Sequence, residues 1–119
     1  MYTKLVKILL LLLILDFLWI GLVFKNYFSP MIFRVQGSDM EPKIIPAFIA
    51  YLLLFGLSAV FLTKANNIYE AFLLGFCVYG VYDATNLATI KNWDPVLALM
   101  DTTWGGILFA SIYWIVIRN

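Results

Sequence analysis

Four long apolar stretches, each of about 20 residues, constrain the fold of this chain more than any other feature. A helix that crosses the hydrocarbon core of a bilayer needs roughly 20 mostly apolar residues. The four stretches cover residues 5–24, 44–63, 68–90 and 96–117. We therefore predict an all-α fold, in which residues 1–119 form a single membrane domain, an integral membrane bundle of four transmembrane helices.

The composition excludes an ordinary small soluble domain. Hydrophobic residues make up 64% of the 119 residues and charged residues only 13%, whereas soluble domains average about 45–50% and about 25%. The net charge is +1 and no basic block is present, which argues against a nucleic-acid partner. The single cysteine, Cys77, rules out an internal disulfide, and its apolar surroundings predict a small buried side chain. We expect a multi-pass membrane location with lipids as partners.

The connection over residues 25–43 is the long one, and it contains its own helix signals. Ser29 and Pro30 are typical of a helix start, and Gly37 is typical of a helix end. Apolar side chains within this segment suit a helix that lies in the membrane interface. We predict a short interfacial helix over residues 29–36.

The other two connections are tight turns that lead into helices. Asn67 and Asp94 each stand where an N-cap is expected, and Pro95 suits the first helical position. Four spans place eight Lys and Arg residues in equal numbers on the two sides of the membrane, so their distribution predicts no orientation.

Three aspartates, Asp16, Asp83 and Asp101, lie inside the spanning segments. An ionised side chain at mid-membrane costs about 2.5–3.5 kcal/mol even on the lenient insertion scale. Counted from the predicted helix ends, the three carboxyls lie roughly 8–12 Å below the same membrane surface. We predict that they form one site, which binds an ion, a proton or another ligand. The alternative is a structural role, as protonated acids hydrogen-bonded between helices.

Polar and aromatic neighbours accompany these acids. Asn86 follows Asp83 by one helical turn, so we include it in the predicted binding site. The pattern Asp-x-x-Trp-x-Gly occurs twice, at residues 16–21 and 101–106, and an indole N–H is a suitable donor to a carboxylate. The residues expected to support the site are Trp19, Trp104, Tyr82, Thr85 and Thr102. Tyr79 either reaches into this site or pairs with backbone, and Trp93 suits the interfacial aromatic belt.

The segments LDFLWIG (residues 15–21), YGVYDATNLAT (79–89) and DTTWG (101–105) resemble those of a widespread family of small four-helix membrane proteins. That family is catalogued as domain of unknown function no. 2177. The resemblance extends over nearly the whole chain, and the middle segment is its most specific part. It implies the four-helix fold and implies no activity or catalytic residue.

Three hypotheses for function stay open. The first is binding or transport of a small cation or proton, for which a homo-oligomer would widen the pathway. In its metal form a divalent cation would be the cofactor, held by Asp16, Asp83 and Asp101. The second is an enzyme that acts on a lipid-soluble substrate through its carboxyls. The third is a structural or accessory membrane subunit. The sequence contains no nucleophile-and-base pair, no Gly-rich phosphate loop and no His cluster, which counts against the enzyme hypothesis. Whether the protein is an enzyme stays undecided.

Overall fold

The computed structural model describes residues 2–41 and 43–118, and every regular element within them is helical. Four helices are long and apolar enough to cross a membrane, which confirms the predicted all-α architecture. The elements are α1 (Tyr2–Trp19), a π-helical segment (Ile20–Phe28), α2 (Ser29–Gln36), α3 (Ile44–Val60), a 3-10 turn (Leu62–Lys64), α4 (Ile68–Thr89), α5 (Pro95–Ile112) and a second π-helical segment (Tyr113–Ile117). Of the single domain predicted over residues 1–119, Met1, Pro42 and Asn119 lie outside the described residues.

The first span is longer than predicted, because α1 runs through the π-helical segment into α2 without a break. The result is one helix of 35 residues, Tyr2–Gln36. At about 1.5 Å per residue it exceeds the roughly 30 Å hydrocarbon core, so its polar end, with Lys25 and Arg34, extends beyond the core. A helix over residues 29–36 is therefore present as predicted, but it is a continuation of the first span. The wider π turns lie directly before Pro30, whose ring and missing N–H disturb regular α-helical bonding.

The predicted helix ends are set by the expected local chemistry. The Asn67 side chain accepts from the Glu70 N–H at 2.9 Å, and the Asp94 side chain accepts from the N–H groups of Val96 and Leu97. Gly37 ends α2 with a φ of 77°, a left-handed conformation that glycine adopts without a Cβ penalty.

Helices α4 and α5 form the closest helix pair of the molecule. A Cβ added to Gly75 would stand 2.0 Å from the Gly105 carbonyl oxygen, so the two backbones are in direct contact at this crossing. A Cβ on Gly106 would meet the ring of Phe72 at 2.6 Å. Small residues allow this approach, as is common between transmembrane helices.

Two apolar clusters flank the middle of the bundle. The first joins α1 to α5 and the end of the fourth span, and its buried members include Ile8, Leu12, Leu108, Phe109 and Ile112. The second joins α2 to the α4–α5 connection through Phe28, Met31, Trp93, Leu97 and Ala98. Residue positions along α1, α4 and α5 place the three aspartates between these clusters.

Helix α3 is the least embedded of the four spans. It packs against α1 and scarcely touches α4, and Ser58 is its buried residue. The prediction for Cys77 on α4 was wrong, because its side chain is exposed. An apolar segment in a membrane does not need burial inside the protein, since lipid can cover its outer face.

Candidate functional site

The two Asp-x-x-Trp motifs exchange their donors between the first and fourth spans. The Trp19 indole N–H on α1 donates to Asp101 on α5 at 3.2 Å, and the Trp104 indole N–H on α5 donates to Asp16 on α1 at 3.0 Å. The two indoles stack with centroids 5.0 Å apart and planes within 3°. The spacing indicated that these tryptophans serve carboxylates, but each serves the aspartate of the opposite helix.

Asp16 receives donors from three other helices. Besides Trp104, the Tyr51 hydroxyl of α3 donates to it at 2.5 Å and the Tyr79 hydroxyl of α4 at 3.4 Å. An ionised carboxylate is an acceptor with about four lone-pair sites, so three donors suit the charged form. Asp16 thus links α1 to every other span of the bundle.

Asp83 and Asp101 form a carboxyl pair between α4 and α5. Asp83 is only 1% exposed and Asp101 is 8% exposed. Their carboxyls lie close enough for a hydrogen bond when one of them carries a proton. The Thr102 hydroxyl approaches the second oxygen of Asp83 at 3.5 Å, so this predicted supporting residue does lie beside Asp83.

Two buried polar atoms near this pair have no hydrogen-bond partner within the described part of the chain. They are Oδ1 of Asp83 and Nε1 of Trp93. Trp93 lies in the connection between α4 and α5, packs next to α2 and is close to Asp83. Buried polar groups are paired in the great majority of structures. The indole of Trp93 and the carboxyl of Asp101 are both close enough to Asp83 to supply a hydrogen to it.

An open cavity of about 590 Å³ lies beside the aspartates, between α1, α3 and α4. Asp16 and Asp101 line its polar side together with Trp19 and three tyrosines, Tyr51, Tyr79 and Tyr82. The rest of its wall is apolar, and no Lys or Arg is among the residues that line it. Asp83 does not line this cavity, whereas its partner Asp101 does.

Two predicted residues lie outside this arrangement. Thr85 is exposed, and its backbone carbonyl accepts from Thr89. Asn86 is half-buried, interacts with the Tyr82 hydroxyl, and does not line the cavity. Helical spacing placed Asn86 on the face of Asp83, but the side chain turns toward Tyr82, which also meets Trp93 edge-to-face at 6.2 Å.

Tyr51 is the residue that the sequence analysis missed. It lies in α3, a helix of almost purely apolar composition, and carries no charge that would draw attention. A comparison of depths in the membrane would have found it. The start of α3 and the predicted end of the first span, residue 24, lie at the same membrane surface, and Tyr51 and Asp16 are about equally far from it along their helices.

A metal centre made of all three acids has no support in the geometry. Within residues 2–41 and 43–118, no group of three or more His, Cys, Asp or Glu side chains is arranged to hold a metal ion. Asp83 and Asp101 are paired, while Asp16 has its own set of donors beyond the stacked indoles.

Comparison with known proteins bears on the family alone. No curated protein and no solved structure matches the chain. The family described as "Predicted membrane protein (DUF2177)" matches residues 1–117, which is nearly the entire sequence. The four candidate spans agree with that description and with a multi-pass location in a membrane. The chain therefore belongs to this family of four-helix integral membrane proteins.

Proposed function

We propose that this protein binds a proton inside the membrane at the pair formed by Asp83 and Asp101, and exchanges it through the adjoining cavity. The observation that carries the proposal is the burial of two neighbouring carboxyls, with no Lys or Arg among the described residues that line the cavity at Asp101. This is the proton form of the cation-binding hypothesis.

One proton shared between the two carboxyls would stabilise the pair. Two ionised carboxylates side by side repel each other, and neither has a hydrogen to donate. One proton converts the repulsion into a hydrogen bond and removes one of two buried charges. It also lowers the cost of placing the pair in the membrane, where each ionised acid costs about 2.5–3.5 kcal/mol.

Access to the pair runs through Asp101. Asp83 is nearly inaccessible and does not line the cavity, whereas Asp101 does. A proton that enters the cavity meets Asp101 first and reaches Asp83 across their contact. Asp16 has a different part in this proposal: its three donors hold it as a fixed negative charge next to the exchanging pair.

Small metal ions fit the site less well than a proton. Mg²⁺ requires near-octahedral oxygen coordination and Ca²⁺ takes six to eight oxygens. The cavity offers two carboxyls and three tyrosine hydroxyls on one side, and apolar side chains elsewhere. A proton needs only the two carboxyls.

Infrared difference spectroscopy in lipid nanodiscs tests proton binding directly. We expect a pH titration to reveal the C=O stretch of a protonated carboxyl, and Asp83→Asn and Asp101→Asn each to remove the pair's band. Asp39→Asn, in the exposed connection before α3, is the matched control and should leave that band in place. A band that persists in both pair variants would contradict the proposal.

Exchange across the membrane is tested in proteoliposomes that contain a pH-sensitive dye. We expect a proton flux in the native protein and its loss in Asp83→Asn. An unchanged flux in this variant would rule out the pair as the carrier.

An enzyme for a lipid-soluble substrate is the second candidate, and the size and apolar wall of the cavity favour it. Pockets of about 300–1,000 Å³ are typical of small-molecule sites, and this one falls in that range. Comparison of the lipids of cells with and without the gene would reveal such an activity as a substrate that accumulates. Unchanged lipid profiles would count against it.

A further inference from the structure

We infer that the cavity beside Asp16 and Asp101 binds an organic cation with an apolar body, most simply an alkylamine, with its ammonium group against the two carboxyls. The inference rests on the proposed proton site and names the class of ligand that shares it. It follows from the donors and acceptors of the cavity wall that are not used in hydrogen bonds within the protein.

Four of the donors around the cavity are already engaged. The hydroxyls of Tyr51 and Tyr79 and the indole of Trp104 donate to Asp16, and the indole of Trp19 donates to Asp101. The Tyr82 oxygen accepts from the Asn86 amide, so the Tyr82 O–H is the exception. Apart from that hydroxyl, the wall offers lone pairs of carboxyl and hydroxyl oxygens, so a ligand that pairs with the two carboxyls must be a donor.

The charge of the cavity wall determines which donor groups of a ligand it can bind. Asp16 carries three donors and suits the ionised form, and no Lys or Arg lines the cavity. A phosphate or carboxylate head group would meet repulsion and find no counter-ion. An ammonium group supplies both the hydrogens and the positive charge, and hydrogen bonds between charged partners are roughly twice as strong as neutral ones.

The remaining wall suits the rest of such a ligand. Helix α3 contributes five aliphatic residues to the wall of the cavity: Ala47, Ala50, Leu53, Leu54 and Leu57. These aliphatic side chains can cover a hydrocarbon chain. The aromatic rings of Trp19 and the tyrosines stand near the acids, where a ring face attracts a cation.

The route of entry for such a ligand follows from the few contacts that α3 makes with α4. The cavity lies between α3 and α4, which scarcely touch, and it is open rather than enclosed. A molecule dissolved in the bilayer can therefore enter sideways with its apolar body still in contact with lipid.

The test compares three probes with one hydrocarbon chain and different head groups: dodecylamine, dodecanol and dodecanoate. Binding to the protein in nanodiscs is measured by native mass spectrometry, which counts ligands per chain, and by calorimetry. We expect one dodecylamine per chain with affinity about tenfold or more above that of dodecanol, the ratio expected of a charge-assisted contact. Dodecanoate should bind most weakly.

Two kinds of variant locate the binding. Asp16→Asn combined with Asp101→Asn should remove the preference for the amine over the alcohol. Ala50→Trp, which fills the cavity from α3, should abolish saturable binding of the amine without touching the carboxyls. Ala84→Trp is the matched control, because Ala84 is exposed on α4 and does not line the cavity.

The outcomes separate this inference from the proposed function. Equal binding of amine and alcohol, or amine binding that survives Ala50→Trp, overturns the inference. If the carboxyl band of the Asp83–Asp101 pair is still present without added ligand, the proton site stands while the ligand class falls. If neither the carboxyl band of the pair nor the preference for the amine is observed, both the proton site and the ligand class are wrong.

Discussion

Trp19 and Trp104 illustrate how single side chains decide the architecture of this site. Each indole spans from its own helix to the carboxyl of the other, and their stacked rings fill the space between. The arrangement ties α1 to α5 at the depth of the buried acids. It also gives the two aspartates unequal support, because Asp16 has tyrosine donors in addition and Asp101 has none among its hydrogen bonds in the described residues.

Because Asp16 and Asp101 differ in their number of donors, we predict that the same substitution at Trp19 and at Trp104 lowers stability by different amounts. Trp19→Phe and Trp104→Phe each remove one N–H and the same amount of ring, but only Trp19→Phe leaves a carboxyl without its indole and without tyrosine replacements. We expect Trp19→Phe to lower the free energy of unfolding by about 1–3 kcal/mol more than Trp104→Phe does. The measurement is unfolding in mixed micelles followed by circular dichroism.

Trp114→Phe serves as the control for the loss of an indole outside this network. Trp114 is half-exposed near the C-terminal end of the fourth span, with the Arg118 guanidinium over its ring. Equal costs for Trp19→Phe and Trp104→Phe would show that the tyrosines add nothing to the support of Asp16.

The α4–α5 pair is the element on which the position of Asp83 and Asp101 depends. Their carboxyls approach one another because Gly75, Gly80 and Gly105 let the two helices come close, with Gly80 facing Thr102. A small displacement here would separate the carboxyls. The crossing and the carboxyl pair are therefore coupled.

Gly75→Ala should break that coupling. Its Cβ would stand 2.0 Å from a backbone oxygen that no side-chain rotation can move, so the helices must separate. Overpacking of this kind costs typically about 1–3 kcal/mol or more, and we also expect the carboxyl band of the pair to change. The control is Gly56→Ala in α3, where no atom lies within 4 Å of the added Cβ and stability should be unchanged or slightly higher. Equal effects of the two would contradict the close crossing.

Helix α3 depends on fewer contacts, and Tyr51 provides its polar link to the rest of the bundle. Its hydroxyl donates to Asp16 and its ring packs edge-on against Phe17 at 5.9 Å. Tyr51→Phe keeps the ring and removes the hydrogen bond, so we expect faster amide exchange in α3 with little change in α4 and α5. Tyr69→Phe, at an exposed site at the start of α4, is the matched control. Uniform protection across all helices in Tyr51→Phe would show that the hydroxyl does not hold α3.

At the scale of the whole molecule, the sequence predicts the spans and much less of their mutual arrangement. Four helices follow from hydropathy, and Asn67, Asp94 and Gly37 mark helix ends as expected. The continuation of the first span into α2 did not follow, because Ser29 and Pro30 are typical of the start of a separate helix, whereas π-helical turns join them directly to α1. The exchange of the indole donors did not follow either. It depends on how each helix is rotated about its axis, which residue spacing along one helix leaves free.

The overall topology is open to a direct test. Four spans put the two ends of the described chain on one side of the membrane and the connection before α3 on the other. In a Cys77→Ser background, we expect Thr3→Cys and Arg118→Cys to react with an impermeant thiol reagent from the same side, and Ser38→Cys only from the opposite side. The unmodified background, with no thiol, is the control. Reaction of Thr3→Cys and Ser38→Cys from one side would mean that Tyr2–Gln36 does not cross the membrane, and the shared depth of Asp16 and Asp101 would then lose its basis.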